Sequence, residues 1–260
     1  MIDVFAHRLF ASCSEEGFMN SAILVKNLRK EFGNKIAVKD STFEVEEGSL
    51  FSLLGVNGAG KTTTIRMLTG LSKPSSGDAY ICGHTIVTEL DEVKAISNIS
   101  TQETAVAPNL TVEENLLFMA RIYGMSKQEA KEKVEQIINQ FSLEEIRRSK
   151  AKTLSGGWQR RLSIAMALIS EPKVLFLDEP TLGLDVLARK GLWNIIRDLK
   201  EKVTIVLTTH YMEEAESLSD QVAVMVDGEV KACGTVAQLK ELTEKDTLEA
   251  AFIAIAEGEV

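Results

Sequence analysis

Long apolar runs are missing from this chain. No segment approaches the roughly 18 consecutive apolar residues that a helix needs to span a bilayer, so the chain is not expected to form a membrane channel by itself. Cysteine is scarce as well. Cys13, Cys82 and Cys233 stand far apart, fit no metal-ligand spacing and read as reduced thiols of a cytosolic protein. Basic charge is outweighed: 29 Lys and Arg face 38 Asp and Glu, for a formal net charge of −9. That argues against general nucleic-acid binding through an overall basic field, although a local basic patch stays open. No internal repeat and no low-complexity linker interrupts the sequence. Residues 1–20 lack the apolar core of a secretory signal, and Glu15 and Glu16 do not suit a transit peptide. This opening is expected to be a disordered leader, or to precede a true start at Met19, with a short amphipathic helix as the alternative.

What is present is an ordinary globular composition. The 260 residues are 45% apolar and 26% charged, which suits one large domain or two small ones. Strands are expected in "AILVKNLRKEF", in "STFEVEEGSLFSLLG" and in the short "GDAYICGH". Three more are expected in "KVLFLDEP", "VTIVLTTH" and "QVAVMVDGEV". Near-continuous apolar strands separated by helices imply a parallel sheet covered on both faces. From Asn109 to Ser149 the period is helical. Leu116, Leu117, Ala120 and Tyr123 share one face, and Val134, Ile137, Ile138 and Phe141 share another. The segment from about 105 to 165 therefore reads as a helical subdomain inserted into an α/β core.

Two motifs carry chemistry. "GVNGAGKT", Gly55 to Thr62, fits G-x-x-x-x-G-K-[ST] between an apolar strand and a helix that opens at Lys61. Gly55, Gly58 and Gly60 let successive backbone N–H groups curl round a phosphate chain, with Asn57 and Thr63 in the same loop and helix start. Lys61 can reach the β- and γ-phosphates, and the Thr62 hydroxyl can serve Mg²⁺. "VLFLDEP" is a buried-strand pattern ending at Asp178, which can hold Mg²⁺, and Glu179, which can polarise an attacking water. A third stretch, "LSGGWQRR", offers the Ser155 hydroxyl, the unhindered N–H groups of Gly156 and Gly157, and a helix N-terminus. Together these suit an anion.

In this order the motifs resemble those of the ATP-binding cassette (ABC) ATPases, over about residues 22–240. The resemblance implies a P-loop NTPase fold: a RecA-like parallel-sheet core, an N-terminal antiparallel β subdomain and the inserted helical subdomain. Residues 1–21 would then be the leader and 241–260 a C-terminal helical tail. It further implies that Phe32 stacks on adenine, that Gln102 belongs to the Q-loop and reaches phosphate and Mg²⁺, that Asp185 is the D-loop aspartate, and that His210 is the switch histidine. Ser155, Gly156 and Gly157 would contact the ATP held by a partner subunit. One place departs from the pattern: Trp158 stands where the family most often has glutamine, and packing with Leu162 and Met166 is its expected role.

The implied function is ATP hydrolysis, with ATP and Mg²⁺ as cofactors. The chain would dimerise with a second copy or a related subunit and drive a separate transmembrane permease. It would sit in the cytoplasm, peripheral on the membrane. The permease would meet the segment "ETAVAPNLTVEENL". The region after His210 resembles exporters of drugs, antibiotics or lipids, and no regulatory domain of the sugar-importer kind is expected after it. No nucleic acid is expected as a partner. The rival reading is a cassette ATPase of translation or DNA repair. Against it stand the single cassette and the absence of a heptad run between Lys61 and Leu154. A P-loop kinase is disfavoured by Glu179 and His210 occurring together.

Overall fold

A computed structural model of the chain describes residues 21–200 and 202–259. The expectations for the leader, Met19 and Cys13 fall outside the described residues. Ten strands form one mixed sheet in the order β5-β4-β1-β2-β10-β9-β3-β8-β7-β6. One arm is antiparallel: β1 (Ser21–Phe32) lies between β2 (Lys35–Glu46) and β4 (Ser76–Ile81), with β5 (His84–Thr85) on the edge. The other arm is parallel. It runs from β9 (Gln221–Val226) through β3 (Leu50–Leu54), β8 (Thr204–Thr209) and β7 (Val174–Asp178) to β6 (Ser97–Ser100). A single parallel pairing, Glu229 with Asp40, joins β10 (Glu229–Gly234) to β2 and so links the two arms.

Burial explains why the parallel strands were legible. Every residue of β3, β7 and β8 is buried, as a sheet covered on both faces requires. Elsewhere the boundaries moved. β2 begins at Lys35, not Ser41, because "KIAVKD" pairs with the end of β1 in a hairpin. "QVAVMVDGEV" is the hairpin of β9 and β10, turned at Asp227 and Gly228. β6 and the helix α2 (Leu90–Ile96) are additional elements. The remaining early helix is α1 (Lys61–Leu68), which follows β3.

The helical segment contains α3 (Val112–Ile122), α4 (Lys127–Gln140) and α5 (Gly156–Ala167), with two 3-10 turns between the last two. Thr111 and Glu114 form a capping box at the start of α3, and Ser126 and Glu129 do the same for α4. Each box satisfies two helix-end donors. Val134, Ile137, Ile138 and Phe141 are all buried as expected, but Tyr123 is exposed. Its ring end instead accepts a hydrogen bond from Asn98 Nδ2 at 2.8 Å. Trp158 packs against the apolar cluster that contains Leu162 and Met166. The Arg161 guanidinium lies 4.5 Å from its ring centroid, a cation–π distance.

After β7 come α6 (Val186–Leu199), α7 (Met212–Leu218), α8 (Val236–Thr243) and α9 (Leu248–Glu257). The last two pack Leu239, Leu248, Phe252 and Ile255 with Val222 and Val224 of β9, and α8 runs across the expected boundary at residue 240. Cys82 and Cys233 are free thiols, and burial pushes the Cys233 thiol up to about 12. Among the described residues, no helix is long and apolar enough to cross a membrane.

One buried side chain shapes the segment before α3. Asn115 is fully buried; it accepts from Ala107 N at 2.8 Å and donates to the carbonyls of Ala107 at 3.2 Å and Thr111 at 2.9 Å. Asn115→Ala strands these groups away from water, which costs about 2 kcal/mol. In a chain of this size that is a fall in Tm of roughly 4–8 °C. A thermal melt that does not move would contradict the assignment.

Candidate functional site

A cleft of ≈ 690 Å³ opens at the C-terminal ends of the parallel strands. That is where ligands of open α/β sheets bind. Asn57, Gly58, Gly60, Lys61, Thr62, Thr63, Gln102 and Glu179 all line it. The loop between β3 and α1 is shaped by close approach. A Cβ on Gly55 would meet the Met225 carbonyl oxygen at 2.4 Å. Gly60 has φ +109°, and a Cβ there would meet the Ala37 carbonyl oxygen at 2.7 Å. Neither position can hold another residue without moving the backbone.

Lys61 is 4% exposed. Its Nζ donates to the carbonyls of Gly55 at 2.7 Å and Val56 at 3.1 Å, and stands 3.5 Å from Glu179 Oε1. Burial pulls its ammonium below the ordinary lysine range, while Glu179 and Asp178 oppose the shift. Thr62 Oγ1 donates to Asp178 Oδ1 at 3.0 Å. The same carboxylate oxygen accepts from Thr208 Oγ1 at 2.6 Å. Thr208 Oγ1 in turn accepts from the Glu179 amide at 3.0 Å. Glu179 adopts φ +46°, a left-handed conformation that costs a non-glycine residue energy. His210 Nδ1 lies 3.3 Å from Glu179 Oε2 but off hydrogen-bond geometry, and it has no other partner.

These donors suit a nucleotide with Mg²⁺. Thr62 and Asp178 offer two hard oxygens side by side, and Mg²⁺ is usually held by one or two carboxylates together with substrate phosphates. Among the described residues, no group of three or more His, Cys, Asp or Glu gathers to hold a metal. A cation here would therefore complete its shell with phosphate oxygens and water.

Other expected site residues stand apart from the cleft wall. Phe32 is 54% exposed at the end of β1, with Lys30 Nζ 4.8 Å from its ring centroid. Lys35 and Ile36, next in the hairpin, do line the cleft. Ser155, Gly156 and Gly157 are not among the lining residues. Ser155 is the N-cap of α5 and makes no side-chain cap bond, unlike Thr111 and Ser126. A Cβ on Gly156 would meet nothing within 4 Å. Asp185 is committed locally: Oδ1 accepts from Leu187 N and Ala188 N, both at 2.9 Å, as the N-cap of α6. Thr208 and Asp227 join the site or its support without a sequence motif that marks them, and Leu182 lines the cleft from the turn that leads to Asp185.

The fold and the cleft define a P-loop NTPase domain. A model of the family described as "ABC transporter" matches residues 38–182. The human phospholipid-transporting ATPase ABCA3 is 44% identical over 85% of this chain, which spans 13% of that relative's length. The linearmycin resistance ATP-binding protein LnrL of Bacillus subtilis (strain 168) is 38% identical over 86% of the chain and 72% of its own length. A dimeric ATP-binding cassette solved in a post-hydrolysis state with ADP and Pi superposes with a TM-score of 0.73. It is 27% identical, over 82% of this chain and 98% of that one. The chain belongs to the ABC transporter family.

Thr208→Val keeps the shape of β8 but removes the hydroxyl that links Asp178 to the Glu179 amide. Small displacements of reacting groups are expensive, so kcat should fall about 10–100-fold, while KM for ATP moves little because the loop around Lys61 is untouched. A raised KM at unchanged kcat would contradict the positioning role.

Proposed function

We propose that this chain is a nucleotide-binding subunit that dimerises around ATP and powers a separate transmembrane permease, in the direction of export. The observation that carries the reading is a division of labour. One set of groups converges on the cleft, and a second anion-binding set, Ser155 to Gly157, faces outward with its hydroxyl uncommitted. A second copy, turned head to tail, would bring that set over the first chain's nucleotide.

In this reading Gly55, Asn57, Gly58, Gly60 and Thr63 wrap the phosphates with backbone and side-chain donors, and Lys61 leaves its own loop carbonyls to pair with β- and γ-oxygens. Thr62, Asp178 and Gln102 would hold Mg²⁺, which would supply charge neutralisation for the phosphates. Glu179 accepts the proton of the attacking water. His210, with its free ring nitrogen beside Glu179, orients the water and the γ-phosphate. Phe32 swings over a purine face from the hairpin that already lines the cleft. Asp185 keeps its helix start fixed at the dimer contact. Positioning and electrostatics do most of the work in phosphoryl transfer, and Lys61, Thr62 and Asp178 sit at a helix start or a strand end.

The permease would dock on "ETAVAPNLTVEENL", residues 103–116, within which Asn115 bonds to Ala107 and Thr111. Export is supported by the linearmycin-resistance relative and by the phospholipid-transporting one. Peripheral placement on the inner membrane face follows from the same partnership.

Glu179→Gln keeps size and hydrogen bonding but removes the base. General-base help is worth about 10²–10⁴ in rate, so kcat should fall by that factor. ATP affinity should persist, and an ATP-bound dimer should accumulate in sedimentation. Turnover at the unaltered rate would remove Glu179 from the role of base.

A further inference from the structure

The exposed ring at the end of β1 rests against a charge. Phe32 is 54% exposed, and a side chain so placed turns freely unless something restrains it. Strand geometry puts Lys30, two residues back, on the same side of β1. Its ammonium lies over the Phe32 ring, 4.8 Å from the centroid, a cation–π distance. Lys30 Nζ also donates to the Lys73 carbonyl at 2.6 Å. Glu31, between the two residues, has its carboxylate on the Arg29 guanidinium at 2.6 Å, so the nearest acid in the sequence is engaged elsewhere.

Lys73 belongs to the loop that leaves α1. The same loop is fastened to β1 twice more: the Ser75 amide donates to the Arg29 carbonyl at 2.8 Å, and the Glu31 amide donates to Ser75 Oγ at 3.0 Å. α1 begins at Lys61, in the phosphate loop. The phosphate cradle therefore hangs on one end of this helix and, through Lys73 and Lys30, the ring hangs on the other. What Lys30 adds to the two neighbouring ties is a cation on one face of the ring, which leaves the opposite face to a base. Stacking on a ring that is already restrained costs less ordering than stacking on a free one, and any purine face is attracted to an aromatic ring.

We propose that Lys30 is a positioning residue that holds the Phe32 ring for the purine of the bound nucleotide, and so adds to affinity through the base and not through the phosphates. This deepens the reading that Phe32 stacks on the base, and rests on it. The flexible four-carbon stem of the lysine lets the ammonium stay with the ring as it turns over the base.

The experiment uses the full chain carrying Glu179→Gln to suppress hydrolysis, at a dilution where sedimentation shows only monomer. Displacement of a fluorescent nucleotide, whose own affinity is measured first for each variant, gives the affinity for Mg-ATP and for inorganic tripolyphosphate, which has phosphates but no base. Lys30→Met removes the charge at similar length. It should weaken ATP binding about 2–5-fold and leave tripolyphosphate binding unchanged. Lys30→Arg, which keeps a cation suited to aromatic faces, should restore ATP affinity. Phe32→Ala should weaken ATP binding about 5–100-fold, and in that background Lys30→Met should have no further effect. Ser75→Ala removes a neighbouring tie without touching the ring and should bind ATP as the parent does. With Glu179 intact, Lys30→Met should raise KM for ATP by about the same 2–5-fold at unchanged kcat. Thermal melts check folding, and Lys30→Gln is read in place of the methionine variant if that one does not fold. The proposal fails if Lys30→Met binds ATP as the parent does, if Lys30→Arg restores nothing, or if Ser75→Ala weakens binding equally. It also fails if tripolyphosphate binding falls as much as ATP binding, or if the Lys30 effect persists without the ring, since the lysine would then act on the phosphates by charge alone. Parental affinity in Phe32→Ala would overturn the stacking reading and the proposal with it; weakened binding there beside an unaffected Lys30→Met would overturn the proposal alone.

Discussion

Thr62 and Asp178 lie 116 positions apart in the sequence and touch through a 3.0 Å hydrogen bond. The architecture depends on that meeting. It requires β3 and β7 to run parallel, separated only by β8, so that the loop after one strand and the carboxylate ending the other face the same cleft. The apolar strands secure this, since every residue of β3, β8 and β7 is buried and such strands are stable only inside a sheet covered on both faces. Around the contact the remaining groups are fixed in sequence: Thr208 holds Asp178 and the Glu179 amide, the left-handed turn at Glu179 aims its carboxylate back toward Lys61, and His210 closes the row from the end of β8.

The same economy explains the buried polar groups behind the cleft. Glu214 is fully buried on α7 and accepts from Trp193 Nε1 at 3.0 Å. Burial pushes its carboxyl above the usual carboxylate range, against the pull of Thr209, Thr181 and Arg189. Its neighbourhood joins the turn after Glu179 to the helix after His210.

Much of this was legible from residue order alone. "LFSLL", "VLFLD" and "TIVLTT" announce buried strands because no face of them can meet water. The P-loop is legible because its glycines answer to a geometric demand, as the contacts awaiting a Cβ at Gly55 and Gly60 attest. What stayed hidden is what depends on distant partners. β6, "SNIS", is short and polar, and becomes a strand only by pairing with β7 at the sheet edge. Thr208 and Arg160 look unremarkable in their own segments. They matter through Asp178 and through the carbonyls of residues 101 and 102, which no local pattern reveals. "QVAVMVDGEV" reads as one strand by its apolar residues, although Asp227-Gly228 is a turn signal and divides it into β9 and β10.

The central claim is that Ser155 to Gly157 complete the nucleotide site of another chain. Its most direct measurement mixes two defective variants, Lys61→Ala and Ser155→Ala, each also carrying Glu179→Gln, and follows ATP-dependent association by sedimentation. In the mixed dimer one site unites both lesions, and the other unites an intact Lys61 with an intact Ser155. The account predicts that ATP drives more association in the mixture than in either variant alone, since nucleotide bound between chains stabilises the dimer by mass action. Association in the mixture no greater than in the separate variants would mean that Ser155 serves its own chain's nucleotide, and would contradict the account.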